Sequence, residues 1–167
     1  MQQIKIRKSI LSDLTRLTEI YNQAIAAGNC TCDLNTFSEE QRKPWLTEHI
    51  NNSRFPLFTC LYDGIPVGYA YFTPYRNGRG AVIDVAEISY YIDFAYHRQG
   101  IGSMFMQFML NEAKKLRYTN LVAILIASND GSVALLEKYG FSEWGRLPGI
   151  VQIAETNMDH LYYGRQI

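Results

Sequence analysis

The sequence predicts an α/β protein with a mixed sheet (an α+β arrangement) and helices on both faces. Its 167 residues are 47% hydrophobic and 13% aromatic, which fits one domain spanning residues 1–167 and excludes intrinsic disorder. In the first half of the sequence, segments in which apolar and polar residues alternate are the most frequent pattern. In the second half, segments with apolar residues at helical spacing lie between predicted strands. Hairpin-linked strands followed by crossover helices are typical of a mixed sheet.

The first third of the chain predicts one strand and two helical regions. Alternation over residues 3–7 predicts the strand. Ser12 is a candidate N-cap for the helix that follows, and Gly28 is expected to end it. Ser38 predicts the start of a second, short helix. Pro44 is expected to open a further piece, because proline is favoured at the first position of a helix.

The middle of the chain predicts three consecutive antiparallel strands. Residues 57–62 and 66–75 are rich in β-forming side chains, and Asp63-Gly64 between them is typical of a tight hairpin turn. Residues 77–80 predict a second turn, after which a long strand is expected over residues 81–92.

Helices and strands alternate in the remainder. We expect a helix from Gly100 to about Leu116, a strand over residues 121–127 and a helix over residues 132–139. A last pair of strands is expected from Phe141 to the end of the sequence.

Charge and cysteine content exclude several classes of function. Sixteen Lys and Arg balance sixteen Asp and Glu, so no global field attracts a polyanion, and we expect no nucleic-acid partner. No apolar run approaches the about 20 residues of a membrane span, and the N-terminus lacks the order of a signal peptide, which predicts a cytoplasmic protein without a membrane partner. The three cysteines lack zinc-site spacing, so we expect reduced thiols and no metal.

The chemistry is concentrated where the strand ending at Ile92 runs into a glycine-containing loop that opens a helix. Gly100 and Gly102 flank the predicted helix start, and no Asp or Glu follows in the first turn. Unpaired N–H groups at a helix N-terminus carry about half a positive charge and bind phosphate. A G-x-G at a helix start is also compatible with a simple tight turn. Neither a Rossmann nor a P-loop motif is present.

Four short segments carry a resemblance to a known family: residues 90–92, 97–103, 129–132 and 137–141. In this spacing they resemble the acetyl-CoA-binding core of the GNAT N-acetyltransferases. Residues 20–24 and Glu87 are similar to the phosphinothricin and methionine sulfoximine (L-amino acid) acetyltransferase branch. The resemblance implies the acyl-CoA N-acyltransferase fold, with a mostly antiparallel sheet splayed at its centre, and a homodimer.

The resemblance also implies a binding mode for acetyl-CoA as co-substrate. Backbone amides of the loop and first helical turn would hold the pyrophosphate: Arg98, Gln99, Gly100, Ile101, Gly102 and Ser103. The strand around Tyr91 and Ile92 would pair with the pantetheine arm, and Asn129 would donate or accept a further hydrogen bond. The Ile92 N–H would polarise the thioester carbonyl. Asn129 is equally suited to a turn or a helix N-cap.

Glu87 takes the position of the family's glutamate, which implies a general base for the acceptor amine. Alternation would place Glu87 on one face of the strand with Ser89 and Tyr91. A carboxyl with an ordinary pKa near 4.3 is a weak base for an amine, so burial or a relaying water would be needed. Glu87 could instead lie on a solvated face or pair with an arginine of the 76–79 turn.

The chain departs from the family pattern at two positions. Leu136 stands seven residues after Asn129, where many members have a Tyr, or a His, that protonates the leaving thiolate, so no acid acts from there. Tyr139 is close in sequence but is expected to be a core aromatic. His97 begins the loop motif where Arg or Gln is usual, and it either contacts phosphate or faces solvent.

The expected activity is acetyl transfer from acetyl-CoA to the primary amine of a small, amino-acid-like acceptor, by direct attack in a ternary complex. Tyr75 and Arg76 are candidate acceptor contacts, because an arginine can bind a carboxylate through two hydrogen bonds. Two alternatives remain open at this point. One is acetylation of a protein or peptide amine, and the other is a non-catalytic acyl-CoA-binding module, which Leu136 favours.

Overall fold

A seven-stranded sheet with two helices on each face forms the protein in the computed structural model, which describes residues 3–167. The strands are β1 (Ile4–Lys8), β2 (Leu57–Tyr62), β3 (Ile65–Pro74), β4 (Val85–Ile92), β5 (Asn120–Ile126), β6 (Ser142–Ile153) and β7 (Thr156–Gln166). The helices are α1 (Leu14–Ala27), α2 (Glu39–Ile50), α3 (Ile101–Lys115) and α4 (Asp130–Lys138). The strand order is β1-β2-β3-β4-β5-β7-β6.

The sheet is antiparallel except at its centre, where β4 and β5 run parallel and then separate. Their pairing covers only Val85 with Asn120, Ala86 with Leu121 and Glu87 with Val122. Beyond these pairs β4 continues to Ile92 beside β3 alone. The predicted mixed, mostly antiparallel sheet with a central splay is therefore confirmed.

Each face of the sheet has its own apolar core. α3 and α4 cover one face, where Ile88, Tyr90 and Ile92 of β4 point. α1 and α2 cover the other face, which includes Tyr69 and Tyr91. The predicted alternation along β4 is confirmed for these side chains. The gap between β4 and β5 is therefore bordered by two different apolar cores, one on each face of the sheet.

The chain enters α1 differently from the prediction. Ser12 does not cap the helix, because Leu11–Asp13 forms a single 3₁₀ turn ahead of it. Asp13 stabilises this turn by accepting a hydrogen bond from the Ile10 N–H at 3.0 Å. The helix ends at Gly28, as predicted, with the left-handed φ of 73° that glycine tolerates.

α2 is one helix, so the prediction that Pro44 opens a separate piece is wrong. Ser38 caps the helix as expected, with its side chain accepting from the Gln41 N–H. Pro44 removes only the bond to the carbonyl of residue 40, which lies on an exposed turn where water can replace it. The buried side chains of Arg42, Leu46 and His49 keep the helix against the sheet.

The predicted hairpin between β2 and β3 is confirmed, with positive φ at both Asp63 and Gly64. The strand expected over residues 81–92 begins only at Val85, because Gly80–Val82 forms a 3₁₀ turn. The later elements match their predicted order. Within residues 3–167, no helix combines the length and apolar character needed to cross a membrane.

Candidate active site

A cleft of about 520 Å³ occupies the gap between β4 and β5. It extends from the two diverging strands to the N-termini of α3 and α4. Its lining includes Tyr91, Ile92, Arg98, Gly100, Gly102 and Asn129, all of them predicted cofactor contacts. Ile101 and Ser103 line it as well. The structure therefore brings most of the predicted cofactor residues into one concave site.

The loop between β4 and α3 is held in shape from both ends. Asp93 accepts a hydrogen bond from the Ala95 N–H at 3.0 Å and forms an ion pair with Arg16 of α1 at 2.6 Å. His97 Nε2 bonds the Ile92 carbonyl oxygen at 2.9 Å, so this side chain braces the loop. Arg98 and Gly100 both have left-handed φ, of 60° and 80°. Successive turns of this kind point N–H groups into an anion-binding concavity.

The N-terminus of α3 opens on this concavity. No side chain caps the helix at Gly100, and the first turn contains no acidic residue. A Cβ on Gly102 would lie 3.3 Å from Leu135 Cδ2 and 3.4 Å from Ile92 Cδ1, so a side chain there would crowd the cleft. Gln99 is not among the lining residues, and its side chain donates to the Ala95 carbonyl at 3.2 Å.

α4 begins on the opposite side of the cleft and is capped by its own sequence. The Asn129 side chain accepts a hydrogen bond from the Ser132 N–H at 3.2 Å. Of the roles expected for Asn129, the helix N-cap is therefore confirmed. Because Asn129 also lines the cleft, its predicted contact with a cofactor stays a prediction. Ser103 connects the two helices through its backbone carbonyl, which accepts from the Tyr139 hydroxyl at 2.8 Å.

Glu87 lies where the two central strands part, on the α1 and α2 face. It pairs with Thr73 of β3 and with Val122 of β5. Burial raises the pKa of Glu87 above its ordinary value, which makes the carboxylate a stronger base. Among residues 3–167, neither Arg76 nor Arg79 forms an ion pair with it.

Tyrosine rings form the wall around this face. Tyr21 packs edge-on against Tyr91 with ring centroids 4.9 Å apart, and Tyr69 lies 5.3 Å from the same ring. Burial raises the pKa of Tyr21 to about 12, and burial also raises the pKa of Tyr71. The phenols therefore stay neutral at neutral pH, and they give Glu87 surroundings of low polarity.

Arg42 is a component of this wall that the sequence reasoning missed. Its guanidinium lies 4.3 Å from the Tyr21 ring centroid and 3.9 Å from that of Trp45. It donates to the Tyr69 hydroxyl at 3.2 Å and is only 7% exposed. Within residues 3–167 it has no carboxylate partner. The only sequence signal is the spacing of Arg42 and Trp45, which puts both on one helix face.

The remaining candidates lie apart from the cleft or have structural contacts. Tyr75 is half-buried just beyond β3, and Arg76 is exposed in the following turn; neither lines the cleft. Leu136 is 1% exposed beside the cleft. In the described part of the chain, no group of three or more His, Cys, Asp or Glu side chains is placed to hold a metal ion.

Comparison with known proteins gives a consistent family match. The family model described as "Acetyltransferase (GNAT) family" matches residues 17–141. The chain is 33% identical over 156 residues to YwnH of Bacillus subtilis (strain 168), provisionally named a phosphinothricin acetyltransferase, covering 93% of this chain and 94% of that protein. It is 26% identical over 145 residues to the L-methionine sulfoximine/L-methionine sulfone acetyltransferase of Salmonella typhimurium (strain LT2), covering 87% and 84%.

The fold also matches solved structures. One is a GNAT superfamily phosphinothricin acetyltransferase from Sinorhizobium meliloti in complex with AcCoA, with a TM-score of 0.91 and 24% identity. The match covers 98% of this chain and 88% of that one. At this identity the likeness shows the fold alone.

Proposed function

The chain belongs to the GNAT acetyltransferase family, whose members are acetyl-CoA-dependent N-acetyltransferases, and from this premise we propose its acceptor and mechanism. The proposed reaction moves the acetyl group to the primary amine of a small, amino-acid-like acceptor within a ternary complex. The observation that carries it is the uncapped N-terminus of α3 at a cleft that is lined by β4 as far as Ile88; Glu87, the next residue, does not line it. The names of the relatives support an amino-acid-like acceptor.

In this proposal the loop and first turn of α3 bind the diphosphate of acetyl-CoA. Backbone N–H groups of Arg98 to Ser103 supply the donors, and the glycines permit close approach. Because the net charge of the chain is zero, local donors have to provide this binding energy. The residues present fit the group, since no carboxylate in the first turn repels it.

The pantetheine arm then follows β4 into the gap. The β5 side of this strand has no strand partner after Glu87, so its backbone groups can pair with the amides of the arm. The N–H of Ile92 is proposed to donate to the thioester carbonyl, and Tyr91 contributes its backbone and ring. In this pairing the acetyl group would lie near the point where β4 and β5 part. Glu87 is at that point, with its side chain on the α1 and α2 face.

Glu87 is proposed to accept a proton from the acceptor ammonium, directly or through one water. The neutral amine attacks the carbonyl carbon, the C–N bond forms, and the C–S bond breaks with its electron pair on sulfur. General base catalysis of this kind contributes about 10²–10⁴-fold. Alignment of amine and thioester contributes up to about 10 kcal/mol of the barrier. Tyr75 and Arg76 are proposed to contact the acceptor.

The test is thiol release from acetyl-CoA with a panel of amines that includes phosphinothricin, methionine sulfoximine, free amino acids and a peptide. We expect turnover with the amino-acid-like members. Glu87→Gln should lower kcat about 10²–10⁴-fold with unchanged acetyl-CoA affinity, and Glu48→Gln, an exposed matched change, should not. Tight cofactor binding with no turnover for any amine would contradict the proposal.

A homodimer in the cytoplasm completes the proposed function. β6 is an edge strand of the sheet, and it exposes Trp144, Leu147 and Ile150 at 50%, 41% and 58%. Apolar side chains on an open strand edge favour pairing with a second copy. Light scattering should give twice the mass of the chain. Charged residues at these positions should return the mass to that of one chain.

A further inference from the structure

The cleft between β4 and β5 passes through the sheet, because residues from both faces line it. Ile88, Tyr90 and Ile92 of β4 line it from the α3 and α4 face. Ser89 and Tyr91, which alternate with them along the strand, line it from the α1 and α2 face. The proposed path of acetyl-CoA uses the first face, so the part of the cleft on the second face remains for the acceptor.

Three further residues complete this second part of the cleft. Ile124 belongs to it, because Ala123 and Leu125, its neighbours on β5, pack on the α3 and α4 face. Ala24 of α1 and Cys30, in the loop that follows this helix, also line it. We name the five residues the acceptor wall: Ala24, Cys30, Ser89, Tyr91 and Ile124.

The acceptor wall contains no charged side chain. Its groups are aliphatic carbons, a thiol, a hydroxyl and a phenol. Burial raises the pKa of Cys30 and of Tyr91, so both stay neutral at neutral pH. A lining of this kind can enclose a neutral group, but it offers no partner to a buried anion.

Two arginines on the helices of this face are already enclosed or paired. Arg42 packs over the ring of Trp45, is 7% exposed and does not line the cleft. Arg16 forms ion pairs with Glu19 and Asp93. Neither guanidinium is therefore placed to neutralise an anion at the acceptor wall.

Two carboxyl groups on the same face have no cation as a partner. Asp33 accepts a hydrogen bond from the Tyr21 hydroxyl, and neither Asp33 nor Glu87 forms an ion pair within residues 3–167. Burial raises the pKa of Tyr71, and the nearby charges of Glu87 and Asp33 act in the same direction, against that of Arg42. The two carboxylates favour an ammonium group on this face and oppose a further anion.

We propose that the acceptor wall selects amino acids by charge: it takes an acceptor whose side chain is uncharged and rejects one whose side chain is anionic. This inference rests on the proposed function, which does not distinguish the two. In this arrangement the α-amine meets Glu87, and the acceptor side chain lies against Cys30 and Tyr91. An anionic side chain in that place loses its hydration and gains no partner.

Methionine sulfone and phosphinothricin test the proposal, because they differ in charge and hardly in shape. Both are amino acids with the same two-carbon side chain, which ends in a neutral methyl sulfone in one and in an anionic methyl phosphinate in the other. We expect kcat/KM, measured by thiol release from acetyl-CoA, to be about 100-fold higher for methionine sulfone. Equal values would overturn the proposal. A higher value for phosphinothricin would also overturn it and would indicate Arg42 as the partner of the phosphinate.

Cys30→Arg and Cys32→Arg are a matched pair of variants. Both add one positive charge to the same loop, but Cys30 lines the cleft, whereas Cys32 is exposed and does not. We expect Cys30→Arg to reduce the preference for methionine sulfone about 10-fold, and Cys32→Arg to leave it within about twofold. Equal changes in the two variants would overturn the contact of Cys30 with the acceptor. The wild-type ratio needs no variant, so it decides the charge preference even if Cys30→Arg does not fold.

A binding measurement separates this proposal from the proposed function. Calorimetric titration of the protein saturated with coenzyme A gives the affinity for each amino acid without acetyl transfer. We expect methionine sulfone to bind at least about 10-fold more tightly than phosphinothricin. If neither is acetylated, the proposed function fails, and the titration still decides the selection by charge. Equal affinities, or no binding of either amino acid, would overturn it.

Discussion

α3 and α4 begin on opposite sides of one cleft, yet their N-termini differ in how they are closed. Each has a glycine at its second position, Gly102 and Gly131. α4 is closed by the Asn129 side chain and carries Asp130 in its first turn. α3 has neither a side-chain cap nor an acidic residue. Both helices have a backbone dipole of the same direction, so the absence of a cap and of an acidic residue distinguishes the proposed phosphate site at α3 from the helix start of α4.

The segments leading into the two helices differ as well. The loop before α3 is fixed from outside, by the ion pair of Asp93 with Arg16 and by the bond of His97 to the Ile92 carbonyl. The turn before α4 is fixed by its own cap. An open helix start therefore depends on distant residues for its shape, whereas a capped one depends on its neighbours in sequence.

The largest expected effect is on acetyl-CoA binding, when an aspartate replaces Gly102 in one variant and Gly131 in another. Gly102→Asp should weaken acetyl-CoA binding about 100-fold, because like charges a few ångströms apart near a protein surface repel by a few kcal/mol. Gly131→Asp should weaken it much less. Calorimetric titration of both variants measures the difference, and Gly102→Ala controls for the added Cβ. Equal losses in the two aspartate variants would contradict the contrast.

The next effect concerns the external support of the α3 loop. Asp93→Asn should lower the free energy of unfolding by about 2 kcal/mol at neutral pH, since a buried carboxylate loses hydrogen bonds to charged and backbone donors. Acetyl-CoA affinity should fall with it. Glu19→Gln, which removes the exposed partner of Arg16, should cost less than about 1 kcal/mol.

The same carboxylate sets a pH dependence. Burial acts to raise the pKa of Asp93, but the Ala95 N–H and Arg16 outweigh it, and the pKa in the folded protein is lowered. Its contribution is therefore complete above the unfolded pKa of about 3.9, and it is lost as the pH falls through the lower, folded value. Urea unfolding should show wild type and Asp93→Asn differing at neutral pH and converging below about pH 4.

A smaller effect is expected at the closed helix. Asn129→Ala should lower the free energy of unfolding by about 1 kcal/mol, the usual cost of losing an N-cap. Asn129→Asp keeps an acceptor for the Ser132 N–H and should retain stability. Thermal unfolding without ligand measures both, and an Asn129→Ala protein as stable as wild type would show that the cap contributes nothing.

The smallest effect is a gain in stability. A Cβ on Gly131 meets no atom within 4 Å, and its φ is not in the left-handed region. Gly131→Ala should therefore raise the free energy of unfolding by about 0.5–1 kcal/mol, because alanine loses less backbone entropy in a helix. Chemical denaturation measures it. A loss of stability in Gly131→Ala would contradict the prediction, because it would show that the space around residue 131 cannot accept a Cβ.

Local patterns were sufficient to predict the strands, the hairpin at Asp63 and Gly64 and the glycine-bounded start of α3, because turn chemistry and alternation depend on neighbours in sequence. The divergence of β4 and β5 followed from the family resemblance alone. Nothing in the composition of β5 reveals that its pairing with β4 stops at Val122.

The features that the sequence did not reveal depend on contacts between distant segments. Pro44 lies within α2 because packing against the sheet compensates for one lost hydrogen bond. The sequence analysis did not single out Arg42, whose guanidinium is enclosed because the packing of α1 against α2 places it between Tyr21 and Trp45.

The early end of the β4–β5 ladder has a consequence for the lifetime of the folded chain. Beyond Glu87 the β5 side of β4 has no strand partner, and in the proposed complex the pantetheine arm pairs with this edge and completes the sheet. Anything that binds only the folded form raises its resistance to heat and to proteases in proportion to the logarithm of its concentration. The resistance of this protein to heat and to proteases should therefore rise with the concentration of acetyl-CoA.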